Sequence, residues 1–238
     1  FVVSGFQNEL ATLASLNTAA APAATVKETV PVNTTLQTSS VEKYFSGTLN
    51  LNNPTGLLTS QGGNTGTTNW SFTFDQALWD ILYLQNGQAQ KTASSTAFYR
   101  SVLNQSKANG EFNGYATAYD VTDTNGKVAE NNYRPGPNAY QAVRALVEYK
   151  ATGDEAALNE TKELVYAAIR SQNNGAIPST LGSNYASNEE NFDWHPVFQD
   201  YYTLTGDTTV LEADNALQAY LKTQYNSKTG LFNRGSVI

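Results

Sequence analysis

The chain has 238 residues, of which 15% are charged, and it carries a formal net charge of −7. An acidic chain without a cluster of lysine or arginine is not expected to bind nucleic acid, because the phosphate backbone requires a basic surface. The absence of cysteine excludes disulfides, thiolate catalysis and cysteine-ligated zinc sites.

The uncharged polar residues of the chain indicate where the protein acts. Asparagine, threonine, serine, glutamine and tyrosine are abundant, whereas charged residues are few. This balance is typical of secreted proteins, so the composition predicts an extracellular or cell-surface location. No apolar run approaches the ~20 residues that a membrane-spanning helix requires, and we therefore expect no membrane span.

Residues 1–69 differ from the rest of the chain, because they hold only four of its aromatic residues, Phe1, Phe6, Tyr44 and Phe45. We therefore assign them to an N-terminal extension. The pattern of apolar, proline and β-branched residues predicts a short helix near 6–16, a linker at 19–24, an extended strap at 25–38 and a remnant helix at 41–45.

Residues 70–238 carry a repeat of glycine turns. Three times, a first turn is followed 22 to 24 residues later by a second one. The first turns are Asn86-Gly87-Gln88, Thr152-Gly153-Asp154 and Thr205-Gly206-Asp207; the second are Asn109-Gly110-Glu111-Phe112, Asn174-Gly175-Ala176-Ile177 and Thr229-Gly230-Leu231-Phe232. This spacing predicts three helical hairpins, each with a second helix of roughly 20 residues.

The two helices of each predicted hairpin differ in their apolar faces. The first helix is the more apolar one, which predicts an inner ring of first helices backed by an outer ring of second helices. Gly87, Gly153 and Gly206 fit the left-handed position that ends a helix, and Asp154 and Asp207 fit the N-caps of the helices that follow. Three complete hairpins and a degenerate earlier one, ending at Thr55-Gly56, are present.

Several motifs at the hairpin boundaries form an ordered series. They are Thr55-Gly56-Leu57, Phe72-Thr73-Phe74-Asp75-Gln76-Ala77-Leu78, Gly136-Pro137-Asn138-Ala139-Tyr140 and Asn188-Glu189-Glu190-Asn191-Phe192-Asp193. In this order they resemble the six-hairpin (α/α)6 toroid glycosidases, the group that includes the family 8 glycoside hydrolases. The resemblance implies an all-α fold in which repeated helical hairpins form a partial, incomplete α/α toroid with an extended N-terminal segment.

The resemblance also implies a carbohydrate cleft, since in such toroids the loops before the inner helices gather on one face. A glycosidase needs one protonated and one ionised carboxyl group across that cleft. We expect Asp75 to serve as one catalytic group and Glu189 or Glu190 as the other. The alternative is structural: Asp75 and Asp193 lie near helix N-termini, where a carboxylate caps free N–H groups, and the two glutamates could be solvated in a polar loop.

The same boundary segments supply candidate substrate-binding residues. Aromatic rings suit the C–H faces of sugars, but an aromatic residue in a helical repeat is more often part of the core. The core role is favoured for Trp79, whereas Tyr115, Tyr119, Tyr133 and Tyr185 remain open. The predicted binding residues are Trp70, Asn138, Tyr140, Asn191, Asp193 and Trp194.

No metal site or cofactor is expected. His195 is the only histidine, and with Pro196 it is expected in a first helical turn, with a surface or capping role. A calcium site from Asp120, Asp123, Asn125 and Glu130 is conceivable, but a hairpin turn at Asn125-Gly126 explains these residues more simply.

Two functions are therefore compared. The first is an extracellular glycoside hydrolase whose partner is a polysaccharide or oligosaccharide. The second is a non-catalytic structural subunit of an extracellular filament or surface assembly. In the second case the chain would associate with itself through the N-terminal extension and the open end of the repeat.

Overall fold

The computed structural model describes residues 53–60, 66–123 and 125–238. The short helix, linker, strap and remnant helix predicted for the N-terminal extension lie outside these ranges. Within them, the structure is dominated by α-helices that are joined in pairs by short turns. Seven strands of two or three residues complete it.

Six α-helices lie in the described ranges. They are α1 Thr73–Gln85, α2 Ala93–Ala108, α3 Pro135–Thr152, α4 Glu155–Ser171, α5 Asn188–Thr205 and α6 Thr208–Thr223. A single 3₁₀ turn, Ala89–Thr92, joins α1 to α2. The three predicted hairpins are thereby confirmed, and their second helices are 16 or 17 residues long rather than about 20.

The strands are short and lie in the loops between helices. They are β1 Trp70–Phe72, β2 Ala118–Asp120, β3 Val128–Glu130, β4 Tyr185–Ser187, β5 Tyr225–Asn226, β6 Leu231–Phe232 and β7 Gly235–Val237. The first three form an antiparallel sheet in the order β1-β2-β3, while β4 pairs with β7 and β5 with β6. Because β1 and β4 run directly into α1 and α5, this pairing fixes where those two helices start.

The turns within the second and third hairpins have the predicted chemistry. Gly153 and Gly206 adopt φ of 72° and 70°, a left-handed conformation that side chains with a Cβ rarely adopt. Asp154 and Asp207 then cap the next helix, because a carboxylate oxygen of each accepts a hydrogen bond from the N–H two residues on, at 3.0 and 3.1 Å. Both predictions are confirmed.

The first helices of the hairpins form a continuous inner layer, in which α1 packs on α3 and α3 on α5. Two hydrogen bonds repeat along this layer. Gln141 Nε2 donates to the carbonyl of Thr73 at 3.1 Å, and Trp194 Nε1 donates to that of Pro135 at 3.0 Å. In each case the seventh residue of an inner helix binds the first residue of the preceding inner helix, so the N-termini of the three helices are held in register.

Two tyrosines that the sequence analysis left open between sugar binding and core belong to the core. Tyr115 and Tyr119 are buried, and both rings contact that of Tyr99, at centroid distances of 4.8 and 6.0 Å. Buried aromatic rings of this kind add edge-to-face contacts to the apolar area that they remove from water. These rings therefore stabilise the packing of α2 against the loop that leads to α3.

A buried charge network joins three helices. Arg144 on α3 and Glu160 on α4 are fully buried and form an ion pair, and Arg144 Nη1 also donates to Glu148 at 2.8 Å. Arg100 on α2 lies 3.2 Å from Glu148 and 3.5 Å from Glu160. Tyr115 donates its hydroxyl to Glu160 at 2.8 Å. Removing one member would leave a buried charge without its partner, which is strongly destabilising.

Asp80 on α1 is a fifth charged residue beside this network. It is buried and accepts hydrogen bonds from Gln76 Nε2 and Ser95 Oγ, both at 2.8 Å. Both arginines of the network already pair with other carboxylates, and within the described part of the chain no basic side chain forms an ion pair with Asp80. Burial raises the pKa of Asp80 to about 7, although the charge of Arg144 opposes the shift.

We expect Asp80→Asn to become more stabilising, relative to the wild type, as the pH rises. Between pH 4 and 7 the unfolded chain has released the proton of Asp80 while the folded chain retains it, so the wild type loses stability over this window. The change is on the order of 4 kcal/mol, and it levels off above the folded-state pKa.

Urea unfolding at pH 4.5, 6 and 8 measures this difference. Glu212→Gln, which removes an exposed carboxylate from α6, is the matched control. If the stability difference between Asp80→Asn and the wild type is the same at all three pH values, Asp80 does not hold the proton.

Candidate functional site

A cleft of about 820 Å³ opens at the N-terminal ends of α1, α3 and α5. Its walls combine carboxylates, two arginines and aromatic rings. The charged residues that line it are Asp75, Glu130, Arg134, Glu189, Glu190, Asp193 and Arg234, and the aromatic ones are Phe72, Phe74 and Tyr185. A cleft of this size is large enough for a small-molecule ligand, and it has polar groups on more than one wall.

The loops around the cleft are fixed to the first residues of the inner helices. The N–H of Thr73, the first residue of α1, donates to the carbonyl of Thr117 at 2.9 Å. The N–H of Asn188, the first residue of α5, donates in the same way to Arg234 at 2.9 Å. These N–H groups have no partner within their own helices, so the loop carbonyls satisfy them and position the cleft walls.

Four carboxylates come from the N-terminal ends of two inner helices. Asp75 is the third residue of α1 and is exposed. Glu189 and Glu190 are the second and third residues of α5, and Asp193 lies one turn further along the helix. Residues three and four apart share a helix face, so the three α5 carboxylates face the cleft together.

The position of α5 corrects two expectations. The helix begins at Asn188, so Glu189 and Glu190 lie in its first turn rather than in a polar loop. Pro196, expected in a first turn, is the ninth residue of α5. Proline cannot donate to the carbonyl four residues earlier, but here side-chain hydrogen bonds from Asn191 and Trp194 hold the preceding two turns in place.

Asp193 has the most perturbed electrostatics of the cleft carboxylates. Burial raises the pKa of Asp193 to about 7, and the neighbouring charges of Glu189 and Glu190 add to the shift. Burial also raises the pKa of Glu190, but Arg134, whose Nε lies 3.8 Å from Glu190 Oε1, opposes that change. Asp193 is therefore the cleft carboxyl that retains a proton near neutral pH.

The helix opposite Asp193 approaches it closely. A Cβ on Gly136, the second residue of α3, would lie 3.4 Å from Asp193 Oδ2 and 3.2 Å from Glu190 Cγ. The side chains of both acids thus lie against the backbone of α3, which accounts for their burial. A larger residue at Gly136 would push them further into the cleft.

An aromatic wall adjoins the carboxylates. The rings of Phe74 and Tyr140 meet edge to face with centroids 4.6 Å apart, and Phe74 is exposed to the cleft. Burial and the charge of Asp193 raise the pKa of Tyr140. Trp70, on β1, is half-buried, and its ring lies 6.1 Å from that of Phe72, which lines the cleft. The structure therefore brings Tyr140 and Trp70 to the cleft margin.

Asn138 and Asn191, both predicted to bind substrate, are buried and bind the protein backbone instead of lining the cleft. Asn138 exchanges hydrogen bonds with the N–H and carbonyl of Tyr115 at 2.7 and 3.0 Å. Asn191 does the same with Ile177, at 2.8 Å for both bonds. Each side chain also donates to the carbonyl four residues earlier in the chain.

A side-chain amide that hydrogen-bonds the backbone of the preceding loop, which we call the amide clamp, occurs at the fourth residue of each inner helix. In α1 the fourth residue is Gln76, and its side-chain oxygen accepts a hydrogen bond from the N–H of Leu58 at 2.8 Å. In every unit the amide therefore holds the loop that precedes its own helix. All three amides belong to the boundary motifs of the sequence, from which the two asparagines were predicted to bind substrate.

Trp194 and His195 also lie away from the cleft lining. Trp194 is only 2% exposed and belongs to the core. His195 Nδ1 lies 2.6 Å from Asp214 Oδ1, and Gln199 and Gln218 donate to the other oxygen of the same carboxylate. This group ties α5 to α6, so His195 takes neither the surface role nor the capping role that the sequence suggested.

Two of the carboxylates considered for calcium, those of Asp120 and Asp123, accept hydrogen bonds from the backbone instead. Asp120 Oδ1 accepts a hydrogen bond from the N–H of Thr122 at 2.9 Å, and Asp123 Oδ1 accepts one from the N–H of Asn125 at 2.9 Å. These contacts shape the connection between β2 and β3, as the simpler hairpin interpretation requires. Across residues 53–60, 66–123 and 125–238, no three acidic or histidine side chains are placed to hold a metal ion.

Sequence reasoning missed several cleft residues. Glu130, Arg134 and Arg234 line the cleft but were not predicted. Arg134 directly precedes the start of α3, the boundary position at which Ser187 precedes α5, so the repeat itself could have identified it. Arg234 follows the last glycine turn, and no pattern in the chain marks it.

Among the helices described here, none is long and apolar enough to cross a lipid bilayer.

We expect Asn191→Ala to lower the free energy of unfolding by about 2–3 kcal/mol, because it leaves the buried N–H and carbonyl of Ile177 without partners. Urea unfolding measures the loss, and Asn159→Ala, at an exposed position on α4, is the control. A variant that kept its stability but no longer bound polysaccharide would instead support the predicted substrate role of Asn191.

We expect Asp193 to titrate near pH 7 and its pKa to fall in Glu189→Gln, because that change removes a neighbouring negative charge. Carboxyl ¹³C chemical shifts followed between pH 4 and 9 measure both values. Glu155→Gln, in the first turn of α4, should leave the titration of Asp193 unchanged. A midpoint near pH 4 in the wild type would contradict the assignment.

No protein-family model matches the chain, and no curated protein sequence matches it. Solved structures do match. A family 8 endoglucanase from Klebsiella pneumoniae superposes with a TM-score of 0.60 at 14% identity, over 83% of this chain and 63% of that one. A family 8 endo-β-1,4-glucanase from an Achatina fulica gut metagenomic library gives 0.58 at 13%, over 87% and 64%.

An α-amylase from Clostridium perfringens matches with a TM-score of 0.58 at 5% identity, over 78% of this chain and 52% of that one. The chain thus spans about half to two thirds of the length of these structures. At such low identity the likeness shows the fold alone. It confirms the predicted partial α/α toroid, similar to that of the family 8 glycoside hydrolases.

Proposed function

We propose that this chain is a carbohydrate-active protein that binds a polysaccharide in the cleft and hydrolyses its glycosidic bonds, at the cell surface or outside the cell. The observation that carries the proposal is the placement of Asp193, a carboxyl that holds a proton near neutral pH, among other carboxylates and beside an aromatic wall. Glycosidic hydrolysis needs one protonated and one ionised carboxyl group.

Asp193 acts as the general acid. Its proton passes to the glycosidic oxygen as the bond between that oxygen and the anomeric carbon breaks, which lets the leaving sugar depart as an alcohol. Asp75, on α1, acts as the general base, accepting a proton from the water that adds to the anomeric carbon. Asp75 is exposed, so water reaches it, whereas Asp193 is partly shielded.

Glu189 and Glu190 have an electrostatic role in this scheme. Burial raises the pKa of Asp193 to about 7, and the charges of the two glutamates add to this shift, which favours the protonated acid near neutral pH. The sequence analysis paired Asp75 with one of these glutamates as the catalytic groups. That pairing remains a second assignment within the same cleft, and single variants of each residue distinguish the two.

The solved structures support the class of substrate. Two of those named above are endoglucanases and one is an α-amylase. The cleft of this chain lies at the N-termini of three neighbouring inner helices, with Phe74, Tyr140 and Tyr185 on or beside its walls. Aromatic rings of this kind stack on sugars.

We expect Asp193→Asn and Asp75→Asn each to lower kcat on the preferred polysaccharide by about 10²- to 10⁴-fold, because each removes a proton-transfer group. Reducing-end release from β-glucan, xylan and starch measures the activity. Asp200→Asn, an exposed carboxylate on α5, should retain it. If Glu190→Gln is inactive while Asp193→Asn is not, the first assignment is wrong.

The pH profile gives a second readout. Because Asp193 must be protonated to donate, the rate should fall as the pH rises through about 7, and Glu189→Gln should move that decline to lower pH. Absence of hydrolysis on every substrate, together with regular filaments in electron micrographs of the purified protein, would favour the alternative function as a structural subunit.

A further inference from the structure

The two-stranded ribbon β5–β6 presents aromatic rings to solvent. Tyr225 and Phe232 lie directly opposite each other on its two strands, so their side chains share one face, and their ring centroids are 5.1 Å apart. They remain 39% and 46% exposed. The ring of Phe192 on α5 packs against that of Phe232 in a T-shaped arrangement, with the ring centroids 4.9 Å apart.

This ribbon is attached to the wall of the cleft. Asn188, the first residue of α5, donates its side-chain amide to the carbonyl of Asn233 at 2.7 Å and its backbone N–H to that of Arg234 at 2.9 Å. The backbone that leaves Phe232 therefore runs along the N-terminus of α5 and places Arg234 in the cleft lining. Only Asn233 separates the exposed ring from a residue of the cleft.

We propose that Tyr225 and Phe232 form a platform that stacks on sugar rings of a polysaccharide extending out of the cleft past Arg234. The inference rests on the proposed function, and it adds a binding site for sugar units remote from the bond that is cleaved. Phe232 remains 46% exposed although it contacts Phe192, and the C–H groups of a pyranose pack against exposed aromatic rings.

The surroundings of the two rings favour a sugar over an apolar protein surface. Asn233 and Arg234 are exposed next to the platform and offer an amide and a guanidinium to sugar hydroxyls. Sites for polar ligands combine aromatic contact with a few such hydrogen-bonding groups. A platform continuous with the cleft also suits a polymeric ligand, because a polysaccharide bound at Asp193 and Arg234 has further sugar units that extend beyond the cleft.

The same ribbon contains a matched control. Leu231 pairs with Asn226 and so projects from the opposite face, where it is 66% exposed. Leu231→Ala removes an exposed apolar side chain from the same strand without touching the platform. Phe232→Leu is a second variant, because it retains an apolar side chain to pack on Phe192 while removing the aromatic face.

The experiment measures binding, using full-length protein that carries Asp193→Asn so that no substrate is consumed. Affinity electrophoresis in gels containing hydroxyethylcellulose, xylan or soluble starch gives the dissociation constant for each polysaccharide. We expect Phe232→Ala, Phe232→Leu and Tyr225→Ala each to weaken binding to the retarding polysaccharide by about two- to tenfold. Leu231→Ala should have the same dissociation constant as the parent protein, which carries Asp193→Asn alone.

The outcomes separate this inference from the proposed function. Equal retardation of the parent and Phe232→Leu, or no retardation of the parent in any gel, overturns the platform whatever the hydrolysis assays show. Weaker retardation of the platform variants supports it even if no hydrolysis is detected. If Phe232→Ala changes only the sedimentation coefficient and not the retardation, the face binds a second copy of the chain, and the platform assignment is wrong.

Discussion

The structure depends on a side-chain amide at the fourth position of each inner helix. This amide hydrogen-bonds the backbone of the loop that precedes its own helix, in α1 through Gln76, in α3 through Asn138 and in α5 through Asn191. A long loop would otherwise leave backbone groups unpaired at the point where it meets a helix. The amide clamp satisfies those groups, so the loops can stay long and still hold side chains in place.

The properties of the cleft follow from this arrangement. The fixed loops allow three helix N-termini to meet at one surface, where the helix dipoles favour carboxylates. Five acidic residues share the cleft with two arginines, and the acid that is most enclosed, Asp193, has a strongly raised pKa. The same geometry thus accounts for the negative charge of the cleft and for the presence of a proton donor within it.

Most of the architecture could be predicted from the sequence, because the glycine turns are local signals with a regular period. Gly153 and Asp154 mark a hairpin by their own backbone preferences, and no distant contact is needed to recognise them. The position of Asp75 at the start of α1 was also predicted correctly, because the apolar stripe that follows it marks the helix. The start of α5 was not predicted correctly, because Pro196 favoured a helix that has this proline in its first turn. In the structure α5 begins at Asn188, and the hydrogen bonds of Asn191 and Trp194 hold the turns before Pro196.

The roles of buried polar residues could not be predicted in the same way. Asn138 and Asn191 stand at loop–helix boundaries, where an amide can bind either a ligand or the backbone, and only the fold decides between them. Charged side chains are rarely fully buried, yet Arg144 and Glu160 both are. The side chains that line the cleft are therefore its carboxylates, arginines and aromatic rings rather than these amides.

The amide clamps also bear on how the chain folds. Each joins residues only 14 to 23 positions apart, whereas the bonds from Gln141 and Trp194 to the preceding inner helix span 68 and 59 positions. Contacts between residues close in sequence form sooner, since less chain entropy is lost in closing them. We therefore expect each loop to bind its own helix before neighbouring units dock, so that a growing chain adds units one after another during synthesis.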